Sequence, residues 1–129
     1  MALRFEASIS GTPLGVRTVR HALAVLAQDC GMDADGIADV RLAVTEAATN
    51  AVIHAYAESE GEIEVMAAAR HGELSIVIRD TGAGLVERPG SPGLGVGLAV
   101  IATIVRRLDI VSRPRGTEIH MAFPCPNAD

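Results

Sequence analysis

The stretch TEAATNAVIHAY, residues 45 to 56, places three polar side chains at a spacing of four residues. Glu46, Asn50 and His54 follow one another at this interval, and the residues between them are mostly small and apolar. On a helix, residues four apart lie one above the other on the same face. The stretch therefore predicts a helix whose polar line is either a solvated stripe or one wall of a site.

The composition limits what such a site could serve. The chain has 129 residues, of which 49% are hydrophobic and 2% aromatic, and its formal net charge is −5. An acidic chain with few stacking side chains is a poor candidate for nucleic-acid binding. The sequence has no apolar run long enough to span a bilayer, and because its first residues lack the apolar core of a signal peptide we expect none. We expect one cytoplasmic domain over residues 1–129, with no direct nucleic-acid or membrane partner and two unpaired thiols.

Periodicity, caps and turn residues predict the order of the elements. Thr12 is the expected cap of the first helix, and Asp33 or Asp35 that of the second, which runs to about Tyr56. We expect the tail PCPNAD to be frayed. The order β-α-α-β-β-α-β-β lacks the strict alternation of a doubly wound fold and predicts a two-layer α/β sandwich. The predicted spans are 3–9, about 13–29, about 34–56, 63–70, 74–79, 98–107, 108–112 and 117–123.

Two glycine clusters give the second functional signal. DTGAG at 80–84 follows a predicted strand, and GLGVG at 93–97 precedes a predicted helix. Glycine lets the backbone approach a ligand closely, and the start of a helix offers free N–H groups to phosphate. The carboxylate of Asp80 could accept a hydrogen bond from an exocyclic amine such as that of adenine. Together the clusters predict a nucleotide site.

Three familiar nucleotide folds do not fit these clusters. A P-loop and a protein-kinase fold both need a lysine, and all eleven basic residues of this chain are arginine. A dinucleotide fingerprint lies early in the chain and is followed by an acidic residue about 20 positions later. Here the run at 93–97 comes late and Asp109 follows too soon.

The full set of motifs resembles the GHKL ATPases, the superfamily of gyrase, the Hsp90 chaperones, the MutL mismatch-repair proteins and the histidine kinases. The motifs are ExxxN at 46–50, DxGxG at 80–84, GxGxG at 93–97 and GT at 116–117. Within this superfamily, TEAATNAVIHAY is similar to the signature of the bacterial anti-sigma-factor serine kinases. The resemblance covers essentially the whole chain. It implies a Bergerat-type, histidine-kinase-like ATPase fold, with three helices on one face of a mixed, mostly antiparallel sheet.

The resemblance also implies roles for individual residues. Glu46 would be the general base, Asn50 would ligate a Mg²⁺ that bridges the phosphates of ATP, and Asp80 would accept from the adenine amino group. Arg17 and Arg20 on the first helix would bind protein partners, and Arg20 fits the family position better. The other implied ATP-binding residues are Gly82, Gly84, Gly93, Gly95, Gly97 and Thr117.

The implied function is that of an ATP-binding anti-sigma factor. It would sequester a sigma factor and phosphorylate a STAS-type anti-anti-sigma protein on serine, as a homodimer. Two alternatives stay open: a nucleotide-responsive partner-binding switch without significant transfer, and the stand-alone ATPase partner of a two-component histidine kinase. The segment at 85–92 is shorter than the ATP lid of many family members, which bears on the rate of transfer more than on nucleotide binding. The presence of Glu46 favours the enzyme over the switch.

Overall fold

The described part of the chain folds into a five-stranded sheet that carries three helices on one face. The computed structural model of the chain describes residues 3–52, 61–81 and 94–128. The predicted order of elements is confirmed in these ranges. In chain order the elements are β1 Leu3–Ser10, α1 Pro13–Asp29, α2 Ala34–Asn50, β2 Glu62–Arg70, β3 Glu73–Asp80, α3 Leu94–Ile104, β4 Arg107–Arg113 and β5 Gly116–Pro124.

The sheet has the strand order β1-β2-β3-β5-β4, and each of its four pairings is antiparallel. β1 is an edge strand, as expected. The predicted two-layer sandwich is confirmed. We expected a mixed, mostly antiparallel sheet, whereas all pairings among the described strands are antiparallel.

Local signals in the sequence set the starts of the first two helices. The hydroxyl of Thr12 accepts a hydrogen bond from Gly15 N at 3.2 Å, and Pro13 is the first residue of α1. The carboxylate of Asp33 accepts from Gly36 N at 2.8 Å and caps α2. Both caps satisfy backbone donors that a helix start leaves without partners. No helix in the described ranges is long and apolar enough to cross a membrane.

The predicted bounds of the third helix are wrong at both ends. We expected a helix over 98–107, whereas α3 runs over Leu94–Ile104. Its first turn is glycine-rich, and glycine is normally read as a loop residue. Its end comes early because Arg106 N donates to Ala122 O at 2.7 Å, so the chain has already joined β5. The second helix continues from Asn50 through residues 51–52, which are π-helical, and the rest of its predicted extension to Tyr56 lies outside the described residues.

The core lies between the helices and one face of the sheet. Alternate residues of β2 and β3 are buried, as the period of a strand with one covered face requires. The helices fill this layer largely with alanine and valine; Ala43, Ala47 and Val44 of α2 are fully buried. The largest fully buried side chains of the sheet are those of Phe123, Ile63, Leu74, Ile76, Ile78, Met121 and Val65.

The carboxyl-terminal tail is tied down, so our expectation that it frays is wrong. Cys125 N donates to Gly72 O at 2.8 Å, and Gly72 N donates to Ala128 O at 2.8 Å. Asn127 N donates to Cys30 O at 2.9 Å, which joins the tail to the end of α1. Cys30 and Cys125 are free, as predicted, and both are buried. Burial, with the neighbouring Cys125 thiol, raises the pKa of Cys30 to about 12.

A buried carboxylate that the sequence did not predict lies on the face of the sheet away from the helices. The Glu118 side chain is only 5% exposed and lies 3.0 Å from Arg79 Nε, 3.0 Å from an Arg113 guanidinium nitrogen and 2.9 Å from His120 Nε2. The hydrogen bond from His120 contributes most to lowering the pKa of this carboxyl, and the charges of Arg113 and Arg79 add to it. These contacts outweigh the effect of burial, which acts in the opposite direction.

Gly116 is a position that only glycine fits. Its φ is +117°, and an added Cβ would collide with the Asp80 carbonyl oxygen. We expect Gly116→Ala to lower the free energy of unfolding by about 2–4 kcal/mol, measured by urea denaturation. Gly72→Ala is the matched control, because φ there is +75° but no atom lies within 4 Å of the added Cβ. The control should lose only about 1 kcal/mol; equal losses in both variants would contradict the proposed collision.

The Glu118 cluster predicts a dependence of stability on pH. Because the folded-state pKa is lowered, the carboxylate stabilises the fold above its ordinary pKa of 4.5, and this stabilisation disappears as pH falls through the folded-state value. Urea denaturation of the parent protein and Glu118→Gln should show the parent more stable at neutral pH. The difference should shrink steadily below the ordinary value. A difference that does not change with pH would refute the assignment.

Candidate nucleotide-binding site

The first turn of α3 packs directly on the polar line of α2. A Cβ added at Gly97 would lie 2.9 Å from Glu46 Oε2 and 3.4 Å from Asn50 Oδ1. Real Cβ atoms are essentially never found as close to another atom as the first of these distances. The structure therefore brings together the ExxxN motif and the last glycine of the GxGxG motif. With glycine at this contact, the Glu46 carboxylate keeps the position that an added Cβ would force it to leave.

The side-chain amide of Asn50 is buried, and its nitrogen makes no hydrogen bond to any described residue. Asn50 is 9% exposed, and its Nδ2 has no hydrogen-bond partner among the described residues. Buried amides in folded proteins are nearly always hydrogen-bonded, because burial without a partner costs about 1–3 kcal/mol. Since the oxygen and nitrogen of an amide are assigned from such networks, either could occupy this position. Asn50 therefore fits two kinds of ligand. Its amide nitrogen would donate a hydrogen bond to an acceptor, and its amide oxygen would bind a cation that prefers oxygen.

The contact also places Asn50 and Glu46 at the amino end of a helix. Gly97 is the fourth residue of α3 and Gly95 the second. The first four backbone N–H groups of a helix have no partner within it, and the helix dipole is positive at that end. Phosphate groups bind well at such positions. The arrangement combines backbone N–H groups that have no partner within their helix with an amide and a carboxylate on the facing helix.

Asp80 and Thr117 form a second group at the end of the central strands. Asp80 is the last residue of β3 and pairs with Thr117 in the register of β3 and β5. The two residues are 8% and 3% exposed. The Thr117 hydroxyl has no hydrogen-bond partner in the described part of the chain. Gly116 makes this approach possible, since its lack of a Cβ lets β5 begin against the Asp80 backbone.

The remaining motif residues fall outside the described residues. Gly82, Gly84 and Gly93 lie there, as do His54 and the segment at 85–92. The roles of these residues in ATP binding remain predictions.

The two residues expected to bind protein partners belong to α1 and line its gap with α2. Arg17 and Arg20 line a cavity of about 330 Å³ that reaches Thr49, the neighbour of Asn50 in the chain. They also line a larger groove of about 860 Å³ that includes Arg41. The sequence reading missed Arg41, because no motif marks it and only the packing of the two helices brings it to the same groove.

Comparison with known proteins identifies the family. Residues 9–123 match the histidine kinase-like ATPase domain family. An anti-sigma F factor from Caldanaerobacter subterraneus is 32% identical, with 79% of this chain and 80% of the relative covered. A serine-protein kinase RsbW from Bacillus thuringiensis is 28% identical, with 84% and 77% covered. The chain therefore belongs to the histidine kinase-like ATPase domain family.

Solved structures agree with this assignment. The crystal structure of the RsbU and RsbW domains of a Mycobacterium tuberculosis protein matches with a TM-score of 0.72 and 28% identity. The match covers 95% of this chain and 32% of that one, so the present chain spans about a third of the matched protein. The histidine kinase domain of a blue-light activated kinase from Erythrobacter litoralis matches with a TM-score of 0.61 at 19% identity, which supports the fold alone.

The contact at Gly97 yields a test of the site. In Gly97→Ala the new methyl group would displace the Glu46 carboxylate, which lies 2.9 Å from its position. Because alanine is the better helix former by about 1 kcal/mol, the melting temperature should not fall much. We expect phosphoryl transfer to slow about tenfold, because the expected general base is displaced, while ATP affinity measured by calorimetric titration stays within about twofold. An unchanged transfer rate in a folded variant would show that the contact does not position Glu46.

Proposed function

We propose that this protein is an ATP-binding anti-sigma factor and serine kinase. It would sequester a sigma factor and phosphorylate a STAS-type anti-anti-sigma protein on serine. The observation that carries the proposal is the buried Asn50 amide, which lies beside Glu46 at the amino end of α3 and whose Nδ2 has no hydrogen-bond partner among the described residues. The relatives named anti-sigma F factor and serine-protein kinase RsbW support the same function.

In this proposal the two groups of site residues bind opposite ends of ATP. The N–H groups of the first turn of α3, with Gly95 and Gly97, would bind the phosphates. Asp80 would accept from the adenine amino group, with Thr117 beside it. Asn50 would hold a Mg²⁺ ion, which prefers oxygen ligands and neutralises phosphate charge when it is bound. The hydrogen-bonding capacity of the Asn50 amide and the Thr117 hydroxyl fits this arrangement.

Glu46 would act as the general base. It lies one helical turn before Asn50, so its carboxylate is close to the residue proposed to hold the metal. From there it would accept the proton of a serine hydroxyl as that oxygen bonds to the γ-phosphorus and ADP leaves with the bridging oxygen. The carboxylate favours this proposal over a switch that binds nucleotide without transfer, because such a switch needs no base at this position.

The proposal extends to partners and organisation. Arg17 and Arg20 would contact the sigma factor and its antagonist, since they line a cavity that reaches Thr49 beside Asn50. A protein bound there would lie next to the proposed transfer site. We propose further that residues 1–129 form one domain, that the protein works in the cytoplasm and that it forms a homodimer.

A transfer assay tests the catalytic assignment. With radiolabelled ATP, Mg²⁺ and a STAS-domain protein encoded beside this chain, the parent should label the STAS protein on serine. We expect Glu46→Gln to reduce the rate at least about 100-fold, as loss of a general base does, while ATP affinity stays within about twofold. Asp80→Asn is the contrasting variant and should weaken ATP binding by about tenfold or more. Transfer by Glu46→Gln at the parent rate would rule out the proposed base.

A further inference from the structure

A ladder of alternating charges crosses four adjacent strands on the face of the sheet away from the helices. From β2 to β4 it consists of Glu64, Arg79, Glu118 and Arg113. Arg79 donates to a Glu64 carboxylate oxygen at 3.1 Å and to Glu118 Oε2 at 3.0 Å. A guanidinium nitrogen of Arg113 lies 3.0 Å from the same Glu118 oxygen. One oxygen on β5 therefore connects β3 on one side with β4 on the other.

The Glu118 carboxylate is buried by the partners that it binds. Its side chain is 5% exposed, whereas those of Arg79 and Arg113 are 39% and 57% exposed. Its second oxygen, Oε1, lies 2.9 Å from His120 Nε2. Burial of a carboxylate is costly unless paired groups stay in contact with it. The negative charge thus holds each partner at one point, and without it two guanidinium groups would face each other and repel.

The ladder lies directly beside the two residues that we propose for the adenine end of ATP. Arg79 pairs with Glu118 in the register of β3 and β5. The next pair in the same register is Asp80 with Thr117. Because successive side chains of a strand point to opposite faces, the ion pair lies on the open face while this next pair points to the helix side. The spacing of the two pairs is coupled, since planar peptide bonds join them on both strands.

The start of β5 needs this support, because little packing holds it from outside. The neighbouring strand β4 is at the edge of the sheet, and six of its seven residues are exposed. The Thr117 hydroxyl is buried, without a hydrogen-bond partner among the described residues. A hydrogen bond weakens steeply outside a narrow range of distance and angle. A ligand held jointly by Asp80 and Thr117 therefore requires that the ends of their strands keep a fixed separation.

We infer that Glu118 is a positioning residue for recognition of the adenine base. Its ion pairs with the strands on both sides fix the spacing of Asp80 and Thr117. The inference rests on the proposed function in one respect, namely that these two residues bind the adenine end of ATP. Glu118 itself does not touch the nucleotide in this arrangement, because its carboxylate lies on the opposite face of the sheet. It acts only through its neighbours in the register.

The test compares ATP with a purine ribonucleoside triphosphate that lacks the amino group of adenine. Calorimetric titration in the presence of Mg²⁺ gives the affinity for each nucleotide, and the ratio of the two affinities measures recognition of the amino group. The test variant is Glu118→Gln, which keeps the shape of the side chain and removes its charge. Glu73→Gln is the matched control, because Glu73 also pairs with two arginines but stands at the opposite end of β3. Urea denaturation establishes that each variant is folded.

We expect the parent and Glu73→Gln to prefer ATP at least about tenfold, as a hydrogen bond to a buried charged group allows. In Glu118→Gln the preference should fall to about threefold or less. A loss of affinity that is equal for both nucleotides would overturn the inference, because a merely structural role loosens the site for each alike. An unchanged ratio in folded Glu118→Gln, or an equal fall in Glu73→Gln, would also overturn it.

A second variant covers the case in which Glu118→Gln does not fold. Arg79→Gln breaks the same ion pair from β3 and leaves the carboxylate with its other two partners. The preference for ATP should narrow in this variant too. A folded Arg79→Gln that keeps the preference of the parent would count against the inference in the same way.

The same titrations separate the failure of this inference from the failure of the proposed function. A parent that prefers ATP, together with a folded Glu118→Gln that keeps the preference, rejects the positioning role and leaves the proposed function intact. A parent that binds neither nucleotide rejects the proposed ATP site and the positioning role with it. A parent that binds both equally rejects the adenine contact of Asp80 and therefore this role as well.

Discussion

The close contact of α2 with the first turn of α3 organises both the fold and the site. A Cβ at Gly97 would lie 2.9 Å from the Glu46 carboxylate and in van der Waals contact with the Asn50 amide. Glycine therefore lets the start of a helix, with its free N–H groups, come against a polar line on its neighbour. The same approach places a buried amide, a carboxylate and helix donors together.

The composition of the core is consistent with this close approach. Ala43, Ala47 and Ala48 of α2 are fully buried, and the chain has only 2% aromatic residues. Small side chains let helix backbones approach each other, while large ones hold them apart. On the other side of the site, Gly116 plays the equivalent role for the sheet, where β5 begins against the backbone of Asp80. At Gly97 and at Gly116, the absence of a side chain leaves room for the neighbouring segments to lie in close contact.

Local sequence signals predicted much of the fold, and they failed where distant residues decide the structure. The caps at Thr12 and Asp33 are visible because the donor and acceptor lie three residues apart. The start of α3 could not be predicted in this way, because Gly97 is helical where the helix contacts α2. The ordered tail depends on Cys30, which lies far away in the chain, and the Glu118 cluster depends on strand register. Arg41 joins the groove only through the pairing of α1 with α2.

The claim that most depends on all these features is that the contact of α2 with α3 forms a Mg²⁺–ATP site. Isothermal titration calorimetry of the purified protein with ATP, with Mg²⁺ present and with Mg²⁺ removed by a chelator, measures this directly. The account predicts saturable binding of ATP that weakens markedly when Mg²⁺ is removed. A folded protein that binds no ATP in the presence of Mg²⁺ would contradict it.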